Sequence, residues 1–188
     1  MSAELRYAGF WKRFGAMWLD ALFLLPLVLV VFWGNSRFRL FQMYYLLPGF
    51  AVGAFYGIYL VKRFGGTPGK LIAGLRITKL DGAAIGYREA VLRDAPGWLL
   101  SLALSIGLAV AASRMSDVEY LSLTFVERSR RLKEFVPSWH QPLQMLQTIW
   151  IWGEFVVLLT NKKKRALHDF IAGTVVILKE PNRVPVAD

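Results

Sequence analysis

Residues 14–33 read FGAMWLDALFLLPLVLVVFW, and Asp20 is the one charged residue among them. Twenty residues of this composition are the length that an α-helix needs to cross the hydrocarbon core of a bilayer. A cleaved signal peptide is the competing interpretation, because three basic residues precede the apolar run. The run is longer than the apolar region of a signal peptide, contains Asp20 and Pro26, and is followed by no small-residue cleavage site. The sequence therefore predicts a retained transmembrane helix.

Three further stretches of the chain have the length and composition of membrane spans. They are residues 41–61, 95–112 and 143–160, the last of which is less apolar because it contains several polar residues. The composition of the 188 residues agrees, since 55% are hydrophobic and the mean hydropathy is +0.40, which is too apolar for a well-solvated surface. We predict an all-α integral membrane protein of four transmembrane helices that forms a single domain over residues 1–188.

The basic residues are distributed unevenly between the two ends of the predicted spans. The tails and the loop 62–94 hold sixteen of the 23 Lys and Arg residues, whereas the other two loops hold seven. The positive-inside rule therefore places both termini and the loop 62–94 in the cytoplasm, with the protein in the cell (inner) membrane. A nucleic-acid partner explains the net charge of +10 less well than contact with membrane lipids does.

Two segments between the spans have patterns of their own. In the cytoplasmic loop, residues 75–79 alternate between apolar and polar, Asp81-Gly82 is a turn signal, and residues 83–86 fit a returning strand. This pattern predicts a small β-hairpin, with residues 174–178 as a candidate third strand. On the outer side, apolar residues recur among charged ones within 113–141, which predicts an amphipathic helix on the membrane surface.

The sequence offers little for catalysis or for a metal site. It contains no cysteine, which excludes disulfides, thiolate ligands and cysteine nucleophiles, and it has two histidines. His140 and His168 are simplest to interpret as interfacial residues, and no set of nucleophile, base and orienting group is visible. We therefore expect a protein that is not an enzyme and has no cofactor or metal.

Charged residues in or beside the spans are the first candidates for function. Arg13 and Asp20 are seven residues apart, so they share a helix face but lie about 10 Å apart along the axis. Arg13 either reaches lipid phosphates or pairs inside the protein. A carboxylate at the depth of Asp20 costs about 2.5–3.5 kcal/mol to insert, so it either binds an ion or fixes helix packing. Glu154 is a second intramembrane acid if the span 143–160 crosses, and is otherwise exposed to water.

Further candidates concern helix packing and lipid contact. Gly49, Gly53 and Gly57 form two overlapping GxxxG steps, which indicate a close contact either with the first span or with another subunit. The segment GGTPGK at 65–70 is not a phosphate-binding loop, because neither its glycine spacing nor the residue after the lysine fits. The residues predicted to contact lipid phosphates are Lys70, Lys162, Lys163 and Lys164. Asp169 either pairs locally with Arg165 or reaches Arg13.

Three stretches of the chain together resemble the RDD family of bacterial and archaeal membrane proteins. They are YAGFWKRFGAMWLD at 7–20, GGTPGKLIAGLRITKLDG at 65–82 and RALHDFIAGTVV at 165–176. The one arginine and two aspartates that name the family fall on Arg13, Asp20 and Asp169. The resemblance implies a role in transport, with some members similar to cation/proton antiporters. Residues 113–141 look like an insertion relative to shorter members, and Glu154 is not part of the signature.

Two functional hypotheses follow. In the first, the protein transports a monovalent cation or a proton by ion exchange, with Asp20 binding the ion and with Arg13 and Asp169 gating it. That version requires a homodimer, because four spans are few for a pore. In the second, the protein is a non-transport subunit, an assembly or regulatory partner of another membrane protein, and Arg13, Asp20 and Asp169 form a structural polar network.

Overall fold

The computed structural model describes residues 5–179 and is mostly helical. Four helical stretches are long and apolar enough to cross a membrane, which confirms the predicted number of spans. They are Phe10–Arg37, Phe41–Ile72, Tyr87–Ser113 and His140–Thr160. Most of their apolar side chains face outward, as helices whose solvent is lipid require.

The first, third and fourth stretches are single α-helices: α1 (Phe10–Arg37), α5 (Tyr87–Ser113) and α8 (His140–Thr160). The second is segmented. It begins as α2 (Phe41–Ala54), widens into a π-helical segment (Phe55–Tyr59), and ends as α3 (Leu60–Phe64). Gly65 then takes a left-handed conformation with φ of 81°, which ends the helix, and the short α4 (Pro68–Ile72) follows. Proline at the first position of α4 suits a helix start.

The small sheet differs from the predicted hairpin. Strand β1 (Leu75–Lys79) pairs antiparallel with β2 (Thr174–Leu178), so the expected third strand is the actual partner. The predicted return strand at residues 83–86 forms only an isolated bridge, between Thr78 and Ala84. The hairpin prediction was wrong because β2 is rich in β-branched residues and its first three residues are buried, whereas Ile85 is the only buried residue of the 83–86 segment.

The N-terminal segment completes this end of the molecule. Ala8 donates to the carbonyl of Val176, and Leu178 donates to the carbonyl of Arg6, so residues 6–8 run along the free edge of β2. The buried apolar cluster lies here, where the sheet meets α1, α3 and α5. Between β2 and α8 lies the short helix α9 (Leu167–Ala172), which packs against α5. The two ends of the described chain therefore meet at one end of the helix bundle.

The segment 113–141 covers the opposite end. The predicted single amphipathic helix is two helices, α6 (Asp117–Ser122) and α7 (Phe125–Phe135), and Thr124 caps α7 through a reciprocal pair of hydrogen bonds with Glu127. The prediction placed this segment on the membrane surface, but the segment also makes hydrogen bonds to the end of α1. Tyr120 and Arg128 both donate to the carbonyl of Asn35, which lies in the last turn of α1.

Candidate functional site

Asp20 holds α1 against the start of α4. Its side chain lies in the protein interior and its residue exposes 9% of its surface. One oxygen, Oδ1, accepts from the Tyr56 hydroxyl at 2.6 Å and from the Gly69 amide at 2.7 Å. The other oxygen, Oδ2, accepts from the Thr67 hydroxyl at 2.5 Å and lies 3.6 Å from the Lys70 ammonium. Asp20 thus acts as a capping residue for α4, supplied from another helix.

The glycine at position 69 makes this contact possible. A Cβ atom built on Gly69 would overlap the carbonyl oxygen of Ala16 and would lie 2.5 Å from the Asp20 amide nitrogen. Both obstacles are backbone atoms of α1, which cannot rotate away. Residues 67–70 therefore fit closely around Asp20. Thr67 supplies a hydroxyl donor, Pro68 begins α4, Gly69 allows the close approach to α1, and Lys70 supplies a cation.

Asp169 occupies a second polar cluster and is fully buried. Its Oδ2 accepts from Arg13 at 2.8 Å and from the Ala166 amide at 3.0 Å, while Oδ1 accepts from Arg93 and from the Thr174 hydroxyl. Burial alone would raise the pKa of Asp169, but the nearby charges, above all the Arg93 guanidinium, hold it well below its usual value. The stabilisation is therefore fully present at neutral pH and is lost only as the pH falls below about 3.9, the value in an unfolded chain.

Arg13 and Arg165 also donate to backbone carbonyls in this cluster. Arg13 donates to the Lys164 carbonyl at 2.5 Å, which the left-handed backbone of Lys164 turns toward it. Arg165 donates to the backbone carbonyl of Asp169 at 2.7 Å and to that of Thr174 at 3.0 Å. Of the two partners considered for the Asp169 carboxylate, the structure thus selects Arg13, while Arg165 binds backbone. Arg93 was missed by sequence reasoning, although its position beside an apolar span was a usable signal.

Glu154 lies in the middle of α8 and contacts α9. Its Oε2 is 2.5 Å from Nδ1 of His168, and its Oε1 accepts from the His168 amide at 3.2 Å. Burial and the charge of Arg93 lower the pKa of His168, so its imidazole is neutral at pH 7 and lies against the Glu154 carboxylate. Glu154 therefore lies within the fourth candidate span, where it contacts α9.

Two of the three glycines predicted for helix packing face another helix of the bundle, and the lysines predicted for lipid contact do not all face outward. A Cβ on Gly53 would meet the Trp98 side chain, and one on Gly57 would meet the Asp94 carboxylate, so these glycines face α5 of the same chain. The nearest side chain to Gly49 is that of Tyr45 on its own helix. Lys70 points inward to Asp20. The basic run after α8 remains outward: Lys162 and Lys163 are exposed, and Lys164 is partly so.

A cavity of about 540 Å³ lies between these clusters. Aromatic and aliphatic side chains from α1, α5 and α8 form most of its wall. Its titratable lining residues are Arg13, Lys70, Arg93, Asp94, Glu154 and His168. Asp94 differs from the others, because no hydrogen bond or ion pair to its carboxylate occurs within residues 5–179. Asp94 was also missed by sequence reasoning, which placed the span just after it.

The sequence model of the RDD family matches residues 7–173, nearly the whole described chain. The protein belongs to the RDD family. It is 25% identical over 181 residues to the "Uncharacterized protein YckC" of Bacillus subtilis (strain 168), a match that covers 93% of this chain and 86% of that protein. No solved structure matches the chain significantly. The matched residues include Asp20, Asp169 and Asp94.

We predict that Gly69→Ala destabilises the protein, because the added methyl group forces α4 away from the backbone of α1. Overpacking of this kind costs about 1–3 kcal/mol. The thermal midpoint of the detergent-solubilised protein is the measurement. Gly15→Ala is the matched control, because a Cβ there has nothing within 4 Å. Equal midpoints for the two variants would contradict the fitted contact.

We also predict that Asp169→Asn destabilises the protein by about 3–5 kcal/mol, because it leaves two buried guanidinium groups without their counterion. The side chains of Arg13 and Arg93 expose only 10% and 9% of their surface. Asp81→Asn, at an exposed turn, is the control for removing one carboxylate. Combining Arg13→Asp with Asp169→Arg should not restore stability, since the new arginine would face Arg93. Restoration by that swap would show that Arg93 is not a true partner.

Proposed function

We propose that this RDD protein is a membrane carrier that binds and releases a proton or a monovalent cation in the charged cavity, with Asp94 as the exchanging group. The observation that carries this proposal is the pairing pattern of the cavity. Its lining cations are used: Arg13 and Arg93 by Asp169, and Lys70 by Asp20. Of the two lining acids, Glu154 contacts His168, whereas Asp94 has neither a hydrogen bond nor an ion pair within the described residues.

The surroundings of Asp94 favour uptake of a positive charge. The carboxylate lies against Gly57 in the π-helical segment, a helix distortion that is frequent at functional sites. The cavity wall beside it includes the indole rings of Trp98 and Trp150. A carboxylate without a paired donor is costly within a membrane protein, and intramembrane acids of this kind serve as proton or cation sites in transporters.

The proposal changes the role first considered for Asp20. A carrier must gain and lose its ligand repeatedly, whereas the Asp20 carboxylate already has three hydrogen-bond donors and a nearby ammonium. Exchange at Asp20 would require breaking the contact between α1 and α4 in every cycle. Asp94 can exchange its ligand with those contacts intact. In this proposal Asp20 and Asp169 stabilise the elements that form the cavity.

The test is proton flux driven by a Na⁺ or K⁺ gradient in proteoliposomes. We expect Asp94→Asn to reduce flux to the level of empty liposomes, with a thermal midpoint close to that of the wild type, because no hydrogen bond is lost. Asp94→Glu should retain part of the flux. Asp20→Asn should lower the thermal midpoint and keep the flux per folded molecule. Wild-type flux from Asp94→Asn would remove Asp94 from the mechanism.

A second candidate function is a non-transport membrane subunit. The observation in its favour is that the signature residues Arg13, Asp20 and Asp169 are all engaged in contacts between elements. Under this hypothesis the wild type gives no flux above empty liposomes under either gradient, while Asp20→Asn and Asp169→Asn still lower the thermal midpoint. The flux of the wild type therefore separates the two candidates.

The proposed carrier is placed in the cell membrane with its sheet end in the cytoplasm. The chain has no cysteine, so single-cysteine variants report topology directly. In intact spheroplasts we expect a membrane-impermeant maleimide to label Glu127→Cys, in α7, and to leave Asp81→Cys and Lys163→Cys unlabelled until the membrane is disrupted. All three positions are exposed. The reverse pattern would invert the topology.

A further inference from the structure

A second cavity, of about 690 Å³, lies at the other end of the bundle under α7. The last three turns of α1 form one side of it, and α5, α7 and the start of α8 form the others. The ring centroids of Phe32 and Phe125 are 5.7 Å apart, so α7 closes over the helix bundle here. The cavity shares no lining residue with the one around Asp94.

The lining of this cavity is apolar at depth and cationic at its rim. Val28, Phe32 and Leu108 line the part that faces the middle of the bundle, and Arg128 and Lys133 line the part under α7. No Asp or Glu is among the lining residues, and neither cation has an ion pair within residues 5–179. The cavity therefore combines an apolar volume with positive charge that the described protein does not neutralise.

The Arg128 side chain is held in place by hydrogen bonds, but its charge has no counterion and its Nε has no partner among the described residues. Its guanidinium donates to the backbone carbonyls of Asn35 at 3.1 Å and Leu123 at 3.0 Å, and it stacks on the Tyr120 ring at 4.5 Å. Its Nε is buried and has no hydrogen-bond partner. Neutral carbonyls orient the group without cancelling its charge, so an anion at the cavity rim would gain a preorganised partner.

His140 supplies a second buried polar atom without a partner. It lines the same cavity, exposes 9% of its surface, and its Nε2 accepts or donates no hydrogen bond among the described residues. Buried polar atoms are normally paired, and an unpaired one in a native structure calls for an explanation. A bound ligand with oxygen atoms would account for both unpaired nitrogens.

We propose that this cavity binds one anionic phospholipid, with its phosphate at Arg128 and Lys133 and the upper part of an acyl chain against α1. Val28 and Ser36, which both line the cavity, are eight residues apart on α1, or about 12 Å at 1.5 Å per residue. The volume lies within the range of about 300–1,000 Å³ that is typical of ligand pockets. A membrane lipid already has its tail in the bilayer beside the cavity, so it reaches the cavity without crossing water.

The test is native mass spectrometry of the purified full-length protein in detergent, titrated with phosphatidylglycerol or with phosphatidylcholine of the same acyl chains. We expect one phosphatidylglycerol to be retained at least tenfold more tightly than phosphatidylcholine. Equal retention of the two lipids would overturn the proposal, as would a protein dimer that forms without lipid and blocks binding.

Lys133→Gln is the best variant for this test, because the Lys133 side chain is exposed and makes no hydrogen bond within the described chain. Replacing Arg128 would also remove its hydrogen bonds to the carbonyls of Asn35 and Leu123. We expect Lys133→Gln to weaken phosphatidylglycerol retention at least fivefold. Arg130→Gln removes an exposed cation of the same helix that does not line the cavity, and should leave retention unchanged.

Ser129→Trp tests the cavity itself. The larger side chain would occupy the space beneath α7 and should abolish retention of both lipids. Retention that survives Ser129→Trp, or that falls equally in Lys133→Gln and Arg130→Gln, would place the lipid on the outer surface and overturn the proposal.

Discussion

The buried ion cluster around Asp169 determines how the elements at one end of the protein can be arranged. A carboxylate with no exposure to solvent is tolerable only when charge and hydrogen bonds surround it. Here Arg13 comes from α1 and Arg93 from α5, while the Ala166 amide precedes α9 and the Thr174 hydroxyl comes from β2. Moving any one of these elements would leave a buried charge unpaired, so the cluster fixes all of them together.

Buried polar contacts between elements have a particular role in a membrane protein. Lipid tails are as apolar as leucine, so helices gain no hydrophobic free energy by associating with each other inside the bilayer. Close packing and polar contacts must supply the specificity instead. Asp20 does this for α1 and α4, and Glu154 with His168 does it for α8 and α9. Three acids in or beside the spans thus serve packing, and their presence does not by itself indicate ion movement.

The sequence predicted the spans well and their polar contacts less well, for a physical reason. Hydropathy is a local property, and it located all four helices, including the weak one that became α8. Pairing across the chain is not local. The partner of β1 lies about 100 residues away in β2, and the counterions of Asp169 come from α1 and α5. Arg93 and Asp94 were not predicted because hydropathy placed the start of the third span just after them, at residue 95.

We therefore propose that the RDD signature describes the scaffold. Arg13, Asp20 and Asp169 each complete a contact between elements, and a residue so occupied is poorly suited to exchange a ligand in every cycle. Residues that act on a ligand should instead have unused bonding capacity. Asp94 meets that criterion in one cavity, and Arg128 with His140 meets it in the other. The two cavities lie at opposite ends of α1 and present opposite unpaired charges, which is why we assign them different ligands.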